Sequence, residues 1–241
     1  MRVALIGYGR MGHMVEACIE ESHDMELAGI VDLDRLSSLR EVEAPDVAVD
    51  FSYPGDLQDL LDAALGRRIP LVIGRTGLQD AEEEMIRATA REIPIVRANN
   101  FSLGVTVMRH VVRQVADTLG NAFDVEIVET HHRRKLDAPS GTVKMLLSAI
   151  DPEGRRQVVH GREGVVEKQD GEIGVHVLRG GTVCGEHSVH FYGDMEELTV
   201  AHRADSRRVF AVGALRAAAF VVRQRPGLYG MEQVLFGENA L

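Results

Sequence analysis

Short apolar segments alternate with amphipathic segments through the first hundred residues, and this alternation constrains the fold more than any other feature of the chain. Each apolar segment has the length of a buried strand, and each amphipathic segment has the spacing of a helix. Strands and helices that alternate in this way predict a parallel sheet with helices on both faces. The predicted strands are 2–6, 25–31, 47–51, 71–73 and 95–97, and the predicted helices are 11–21, 54–65 and 80–92.

A glycine-rich motif, Gly7-Tyr-Gly-Arg-Met-Gly12, joins the first predicted strand to the first predicted helix. Such a motif on its own is often an ordinary turn, but here Asp32 ends the next strand about twenty residues later, which is typical of a dinucleotide site. Gly7 permits the tight turn, Gly9 lets the backbone approach a pyrophosphate, and Gly12 allows the helix to pack closely on the strand. The free amides at the helix start are then expected to bind the phosphates.

Asp32 is the predicted determinant of cofactor choice. A carboxylate at this position can accept both hydroxyls of an adenine ribose, and it repels a 2′-phosphate. NADP sites usually add an arginine next door, whereas here Leu33 and Asp34 follow, with Arg35 near enough to compensate in part. The sequence therefore favours NADH, with NADPH as an alternative.

Two further loops follow predicted strands at the edge where such sheets bind ligands. Gly74-Arg-Thr-Gly77 follows the fourth strand, and Ala98-Asn-Asn-Phe-Ser102 follows the fifth. Both loops are small and polar, and either one alone is more often a plain turn. Together they are predicted to hold the nicotinamide and its ribose.

The second half of the chain has a different pattern. Ser140 is predicted to cap a helix that begins near Thr142, because apolar residues then follow at helical spacing. Glycine-containing turns separate three later β segments, which predicts an antiparallel meander. The predicted helices are 103–119, 142–150 and 207–223, and the predicted strands are 124–129, 173–179, 182–192 and 197–202.

These patterns predict an α/β protein of two domains. A Rossmann-type parallel-sheet domain is expected over 1–101, completed by 208–241, and it binds the dinucleotide. An α+β domain with a mostly antiparallel open sheet is expected over 102–207. One face of such a sheet packs on its own core, and the other face is commonly buried between subunits.

A fourteen-residue run, Glu129-Thr-His-His-Arg-Arg-Lys-Leu-Asp-Ala-Pro-Ser-Gly-Thr142, concentrates groups that bind anions and move protons. His131 and His132 end a strand, and Lys135 follows one short turn later. Ser140 then starts a helix whose N–H groups and dipole attract anions. A single histidine is most often structural, but the combination predicts a carboxylate site with a proton donor, as reduction of an unsaturated or imine substrate requires.

Composition excludes several other classes of protein. A formal net charge of −10 argues against nucleic acid as a partner. The longest apolar segment, 209–222, is interrupted by Arg216 and is shorter than the roughly 20 residues of a membrane span. Cys18 and Cys184 lack metal-ligand spacing, so no metal is predicted, and they indicate a reducing cytoplasm.

Nearly the whole chain resembles the 4-hydroxy-tetrahydrodipicolinate reductase (dihydrodipicolinate reductase) family. The fourteen-residue run is the most specific part of the resemblance. The resemblance implies NAD(P)H-dependent reduction of 4-hydroxy-tetrahydrodipicolinate to tetrahydrodipicolinate, with loss of water, in lysine and diaminopimelate biosynthesis. Further motifs that carry it are Gly7–Gly12, Asp50-Phe-Ser52, Gly74–Gly77, Asn100-Phe-Ser102, Gly161-Arg-Glu-Gly164 and Gly185-Glu-His187.

The resemblance also implies roles for individual residues and an oligomeric state. His131 is the implied proton donor or acceptor and Lys135 the implied proton donor, and which of them gives the proton stays open. Bound substrate, a small dicarboxylate, is implied to contact His132, Ser140, Gly141 and Thr142. The implied assembly is a homotetramer joined through the C-terminal sheets. Implied cofactor-binding residues are Gly7, Tyr8, Gly9, Arg10, Met11, Gly12, Asp32, Gly74, Arg75, Thr76, Ala98, Asn99, Asn100 and Phe101.

Two alternative functions remain open on the same residues. One is a reductase of another imine or semialdehyde, which the intact segment from Lys135 to Thr142 disfavours. The other is a non-catalytic sensor of NADH, and retention of His131, His132 and Lys135 disfavours it, because a sensor needs no proton donor. At Arg75 and Asn99 the chain departs from the family, which commonly has small or neutral residues there.

Overall fold

The computed structural model describes residues 1–52 and 57–237, and these residues form two compact units. The first unit comprises Met1–Leu103 and Arg207–Leu241, and the second comprises Gly104–Ser206. In chain order the elements are β1 (Arg2–Ile6), α1 (Arg10–Glu20), β2 (Glu26–Val31), β3 (Val47–Asp50), α2 (Leu57–Arg67), β4 (Leu71–Ile73), α3 (Asp80–Thr89), β5 (Pro94–Arg97), α4 (Leu103–Leu119), β6 (Asp124–His131), α5 (Gly141–Ile150), β7 (Val158–His160), β8 (Ile173–Arg179), β9 (Gly185–Tyr192), β10 (Glu197–Ala204), α6 (Arg208–Val221), β11 (Gly227–Tyr229) and α7 (Met231–Phe236).

The first unit is built on a six-stranded parallel sheet in the order β11-β5-β4-β3-β1-β2. Successive residues of β1 point to opposite faces, so Val3 and Leu5 pack with α1 and α6 in one core. Ala4 and Ile6 pack with α2 and α3 in the other core. Because both faces are covered, the inner strands β1 and β4 are almost wholly apolar rather than alternating. The predicted Rossmann-type sheet is thereby confirmed.

The second unit contains a five-stranded mixed sheet in the order β10-β9-β6-β8-β7. Strands β10, β9 and β6 pair antiparallel, whereas β6, β8 and β7 pair parallel. The predicted meander is wrong in one respect, because β8 and β9 are not neighbours and β6 lies between them. A glycine turn at 180–181 indicates where the chain reverses, but it does not reveal which distant strand inserts beside it.

One face of the mixed sheet packs on α4 and α5, and the other face carries polar side chains. Val125 and Ile127 of β6 lie in the core with residues of both helices. On the opposite face, Glu126 accepts hydrogen bonds from Arg162 and Lys168, each at 2.9 Å. These two bonds attach the loop between β7 and β8 to the sheet.

Several element boundaries differ from the predicted ones. Helix α2 runs over Leu57–Arg67, and the predicted start at 54–56 lies outside the described residues. No predicted element corresponds to strand β7, strand β11 or helix α7. Each of these is too short to form on its own and is stabilised by its neighbours, as β11 is by pairing with β5. No helix among the described residues is long and apolar enough to cross a membrane.

Candidate active site

The glycine-rich motif connects β1 to α1 and leaves open space above Gly9. Gly7 has φ +83°, and its N–H donates to the Val31 carbonyl at 2.8 Å, which fixes the turn between β1 and α1 against the end of β2. A Cβ on Gly12 would lie 2.5 Å from the Gly7 oxygen, whereas a Cβ on Gly9 would meet nothing within 4 Å. The motif therefore fits a dinucleotide, because Gly9 is the N-cap of α1 and the open space there lets a phosphate approach the backbone.

Asp32 follows β2 and lines a cavity of about 300 Å³ in the first unit. The Arg35 N–H donates to the Asp32 carbonyl at 3.1 Å, and the Arg35 guanidinium carbon lies 4.1 Å from the centre of the Tyr8 ring. The Tyr8 hydroxyl donates to Glu16, which raises its pKa. Other residues that line the cavity include Gly7, Leu33, Ser37, Ser38, Ser52 and Arg75.

Arg75 is held by a buried ion pair. Its Nε donates to Oδ2 of Asp50, and the side chains of Arg75 and Asp50 are 4% and 0% exposed. The other Asp50 oxygen accepts from the N–H and hydroxyl of Ser52, at 2.9 and 2.6 Å. An arginine is tolerated in this loop because Asp50 neutralises it where it lines the cavity.

The loop that follows β5 is ordered by side-chain contacts within it. Arg97 donates to the Ala98 carbonyl at 2.9 Å and to Oδ1 of Asn99 at 2.8 Å. Oδ1 of Asn100 accepts from the Ser102 N–H at 2.8 Å. The Phe101 ring is 2% exposed and contacts Phe51 edge-on. Phe101 therefore anchors this loop in the core. Ala98, Asn99 and Asn100 precede Phe101 in the sequence.

The fourteen-residue run places its groups around the start of α5 in the second unit. His131 is the last residue of β6, and the Lys135 N–H bonds the His132 carbonyl at 3.0 Å, so a tight turn brings Lys135 back toward the strand. The Lys135 ammonium lies 2.7 Å from Asp137. Ser140 is the N-cap of α5, and its Oγ accepts from the Val143 N–H at 3.2 Å. The predicted N-cap is thus the observed one.

Glu129 connects the end of β6 to the start of α5. Its carboxylate is fully buried and accepts the Ser140 N–H at 3.2 Å and the Arg179 guanidinium at 2.9 Å. Burial raises the pKa of Glu129, but the hydrogen bonds from Ser140 and Arg179 outweigh that effect and lower the pKa below its ordinary value. Glu129 is therefore a carboxylate at neutral pH.

Two buried imidazoles lie beside this carboxylate. The rings of His131 and His187 meet edge-on with centroids 5.0 Å apart. Burial lowers the pKa of His131, with Glu129 opposing the shift, and burial lowers the pKa of His187 to about 4. Nε2 of His187 lies 3.4 Å from Oγ of Ser140. The His131 ring fits because Gly185 has no side chain, since a Cβ there would lie 3.1 Å from its Nε2.

Glu129, Arg179 and His187 were not among the predicted site residues. Glu129 and His187 stand inside motifs that carry the resemblance, but their pairing depends on β6 lying between β8 and β9. The ligand atoms of Glu129, His131 and His187 lie within 4.8 Å of one another, a spacing that a cation could use. Because Arg179 and Ser140 already occupy the Glu129 oxygens, we interpret the cluster as a proton-linked network.

The two units together carry the parts of a dinucleotide-dependent oxidoreductase: a Rossmann-type sheet with its glycine loop, and a separate capped helix start beside titratable groups. The comparison with protein families makes this class specific. Residues 1–101 match the family model for the dihydrodipicolinate reductase N-terminus, and residues 104–235 match the one for its C-terminus. The chain belongs to the dihydrodipicolinate reductase family, as its motifs predicted.

Relatives and solved structures agree with this membership. The chain is 42% identical to the 4-hydroxy-tetrahydrodipicolinate reductase of Alkaliphilus metalliredigens, covering 94% of this chain and 95% of the relative. It is 44% identical to that of Rubrobacter xylanophilus, with 98% of each covered. A dipicolinate-bound dihydrodipicolinate reductase from a Paenisporosarcina species superposes with a TM-score of 0.78 at 25% identity, over 98% of this chain and 99% of that one. A probable dehydrogenase from Thermotoga maritima, 11% identical with a TM-score of 0.64 over 97% and 92% of the two chains, shares the fold.

Proposed function

We propose that the protein reduces 4-hydroxy-tetrahydrodipicolinate to tetrahydrodipicolinate with loss of water, in lysine and diaminopimelate biosynthesis. One observation carries the proposal: a capped helix start, Lys135 and His131 occur within one short segment of a chain of this family. Overall, one hydride and one proton enter the substrate and one water leaves, so the site must hold an anion and deliver a proton. The segment supplies groups for both tasks.

The proposed cofactor is NADH, with weaker use of NADPH. Asp32 supports this preference, because its carboxylate repels a 2′-phosphate and accepts ribose hydroxyls. Arg35, stacked on Tyr8, is the cation nearest in sequence that could offset Asp32. When bound, the nicotinamide supplies the hydride. The proposed contacts come from the glycine motif 7–12, from Gly74, Arg75 and Thr76, and from Ala98, Asn99, Asn100 and Phe101.

The proposed substrate contacts surround the N-terminus of α5. N–H groups of Gly141 and Thr142 lie in the first turn of the helix, where the helix dipole favours a carboxylate. Ser140 keeps this end in place through its bond to Val143. His132 and Lys135 are proposed to contact the bound dicarboxylate as well, and Lys135 would then exchange Asp137 for the substrate.

Proton transfer is assigned to His131 and Lys135 as a pair. Departure of the hydroxyl as water requires a proton, and the atom that receives electrons after hydride addition requires another. One proton returns when the neighbouring C–H is lost, so the net uptake is a single proton. Lys135 lies close enough to His131 to lower the pKa of its imidazole.

One assay separates this proposal from its alternatives. Freshly generated 4-hydroxy-tetrahydrodipicolinate is added to enzyme and NADH, and NADH oxidation is followed. The proposal expects oxidation that saturates with substrate and forms tetrahydrodipicolinate. Oxidation with another imine or semialdehyde but not with this substrate would favour the reductase of different specificity. Tight NADH binding without oxidation would favour the NADH sensor.

We also propose a homotetramer joined through the mixed sheets and located in the cytoplasm. Support comes from the sheet face opposite α4 and α5, where Leu178 and Tyr192 are exposed beside polar neighbours. Two free cysteines, Cys18 and Cys184, suit a reducing compartment. Light scattering tests the assembly, since a monomeric mass at micromolar concentration would contradict it.

A further inference from the structure

The buried carboxylate of Glu129 lies next to the imidazole of His131, which has a proposed part in proton transfer. Glu129 lies 3.7 Å from Nδ1 of His131 and 3.8 Å from Nε2 of His187, with both distances measured to its Oε2. Its Oε1 lies 2.9 Å from Arg179. These four residues come from β6, β8 and β9, and the strand registers place them on the face that packs on the helices.

We infer that Glu129 is the positioning residue of His131: its buried carboxylate faces Nδ1, orients the imidazole and favours its protonated form. The inference rests on the proposed function, which gives His131 its part in proton transfer. In acid–base catalysis, a catalytic histidine is commonly oriented by a further group that binds the ring nitrogen facing away from the substrate. Glu129 touches no reacting atom in this account and acts only through His131.

The geometry around the His131 ring leaves one nitrogen for the substrate. Nδ1 faces Glu129 and has no hydrogen-bond partner at normal distance among the described residues. Nε2 lies on the side of Gly185, where a Cβ would come within 3.1 Å of it, and it does not face the carboxylate. A small shift of the ring would turn the 3.7 Å contact into a hydrogen bond from Nδ1–H to the carboxylate. Nε2 is then the atom that exchanges a proton with the substrate.

His187 does not neutralise the Glu129 carboxylate, although His187 and His131 lie at similar distances from it. It is 5% exposed, and its cross-strand neighbour on β10 is His202. Burial, together with the nearby His131, His202 and Lys135, lowers the pKa of His187 to about 4 against the opposing effect of Glu129. A neutral His187 leaves the negative charge of Glu129 to act on His131.

The charged groups that face His131 act in opposite directions. Glu129 on β6 and Asp137 in the following loop raise the pKa of His131, whereas Lys135 in that loop and Arg179 on β8 lower it, as burial does. Arg179 also binds Glu129 directly, so it weakens the effect of that carboxylate on the imidazole. Removing Glu129 and removing Arg179 should therefore shift the pKa of His131 in opposite directions.

The decisive experiment is an NMR titration of the histidines in the enzyme without substrate, with His131 assigned from His131→Asn. Glu129→Gln keeps an oxygen for Ser140 and Arg179 but removes the charge, and it should lower the pKa of His131 by about one unit. Arg179→Gln should raise it. Glu126→Gln is the matched control, because Glu126 lies on the opposite face of β6 and binds His176 instead. It should leave His131 unchanged.

Kinetic measurements distinguish a positioning role of Glu129 from a purely structural one. Glu129→Gln should lower kcat about tenfold or more, with KM within about twofold, and should move the alkaline limb of the kcat profile to lower pH. Unchanged His131 titration in both Glu129→Gln and Arg179→Gln would overturn the inference, even if kcat falls. If Glu129→Gln does not fold, the sign of the Arg179→Gln shift decides alone. Failure of the proposed function appears separately, as wild-type enzyme that titrates as expected yet oxidises no NADH.

Discussion

The backbone N–H of Ser140 lies 3.2 Å from Oε2 of Glu129, eleven residues earlier in the chain. This bond joins the end of β6 to the N-cap of α5, so the turn between them has both ends fixed. His131, His132 and Lys135 all belong to that turn or its start. One short stretch of the chain, fixed at both ends, therefore carries the groups proposed to bind an anion and those proposed to move a proton. Because these groups are already held in place, less conformational entropy is lost when a substrate binds.

Replacing Lys135 by alanine is expected to reduce kcat by much more than tenfold while NADH binding stays nearly unchanged. The ammonium lies 2.7 Å from the exposed carboxylate of Asp137, so its loss removes a proton donor without opening the core. Lys144→Ala is the matched control, because Lys144 is an exposed lysine on α5. Turnover of Lys135→Ala within about tenfold of the parent, roughly 1.4 kcal/mol, would show that the assigned role is wrong.

Gly141→Ala separates substrate binding from folding. A Cβ at Gly141 would meet nothing within 4 Å, and alanine is a good helix former, so the melting temperature should stay unchanged. The new methyl group would stand where the substrate carboxylate is proposed to bind, and KM should rise about tenfold or more. An unchanged KM, measured beside an unchanged melting temperature, would mean that the carboxylate binds elsewhere.

Gly9→Ala and Gly12→Ala form a matched pair in the dinucleotide loop. Alanine at position 9 has open space and should leave stability intact while weakening NADH binding about tenfold or more. Alanine at position 12 would place its Cβ 2.5 Å from the Gly7 oxygen and should destabilise the unit by about 1–3 kcal/mol. Calorimetric titration with NADH and thermal unfolding test both; tight NADH binding by a stable Gly9→Ala variant would refute the loop assignment.

Asp32→Asn should shift cofactor preference toward NADPH. Removing the carboxylate removes repulsion of the 2′-phosphate, while Arg35 remains nearby as a cation. The ratio of kcat/KM for NADPH over NADH is expected to rise about tenfold, or roughly 1.4 kcal/mol. Asp34→Asn, one residue from Arg35, serves as the control. Equal ratios in all three proteins would place the determinant of preference elsewhere.

His187 should make the folded protein less stable in mild acid. Its pKa is about 4 when folded and 6.5 when unfolded, so the unfolded state binds the proton first as pH falls. The stability linked to His187 is complete above pH 6.5 and is lost as pH falls toward 4. Between about pH 7 and pH 5 the loss amounts to about 2 kcal/mol. Denaturant unfolding of His187→Gln should lack this component; an identical pH slope in the two proteins would contradict the assignment.

Local signals in the sequence predicted much of the fold and part of the site. The strand–glycine–helix pattern at Gly7–Gly12 and the cap at Ser140 are encoded within a few residues, and both were found as predicted. The position of β6 between β8 and β9 depends on pairing between strands that are distant in the sequence. The residues in the turns do not reveal this pairing. For that reason the contacts of Glu129 with Arg179 and His187 could not be predicted from the sequence.

We propose that hydride passes from the cofactor to 4-hydroxy-tetrahydrodipicolinate with a proton supplied by the His131 and Lys135 pair. The most direct measurement uses NADH deuterated at the transferred position, with mass spectrometry of the tetrahydrodipicolinate formed. Such a transfer should leave one deuterium in the product of the wild-type protein and give almost no labelled product from Lys135→Ala. Product without deuterium, or intact NADH that stays tightly bound in the presence of substrate, would contradict it.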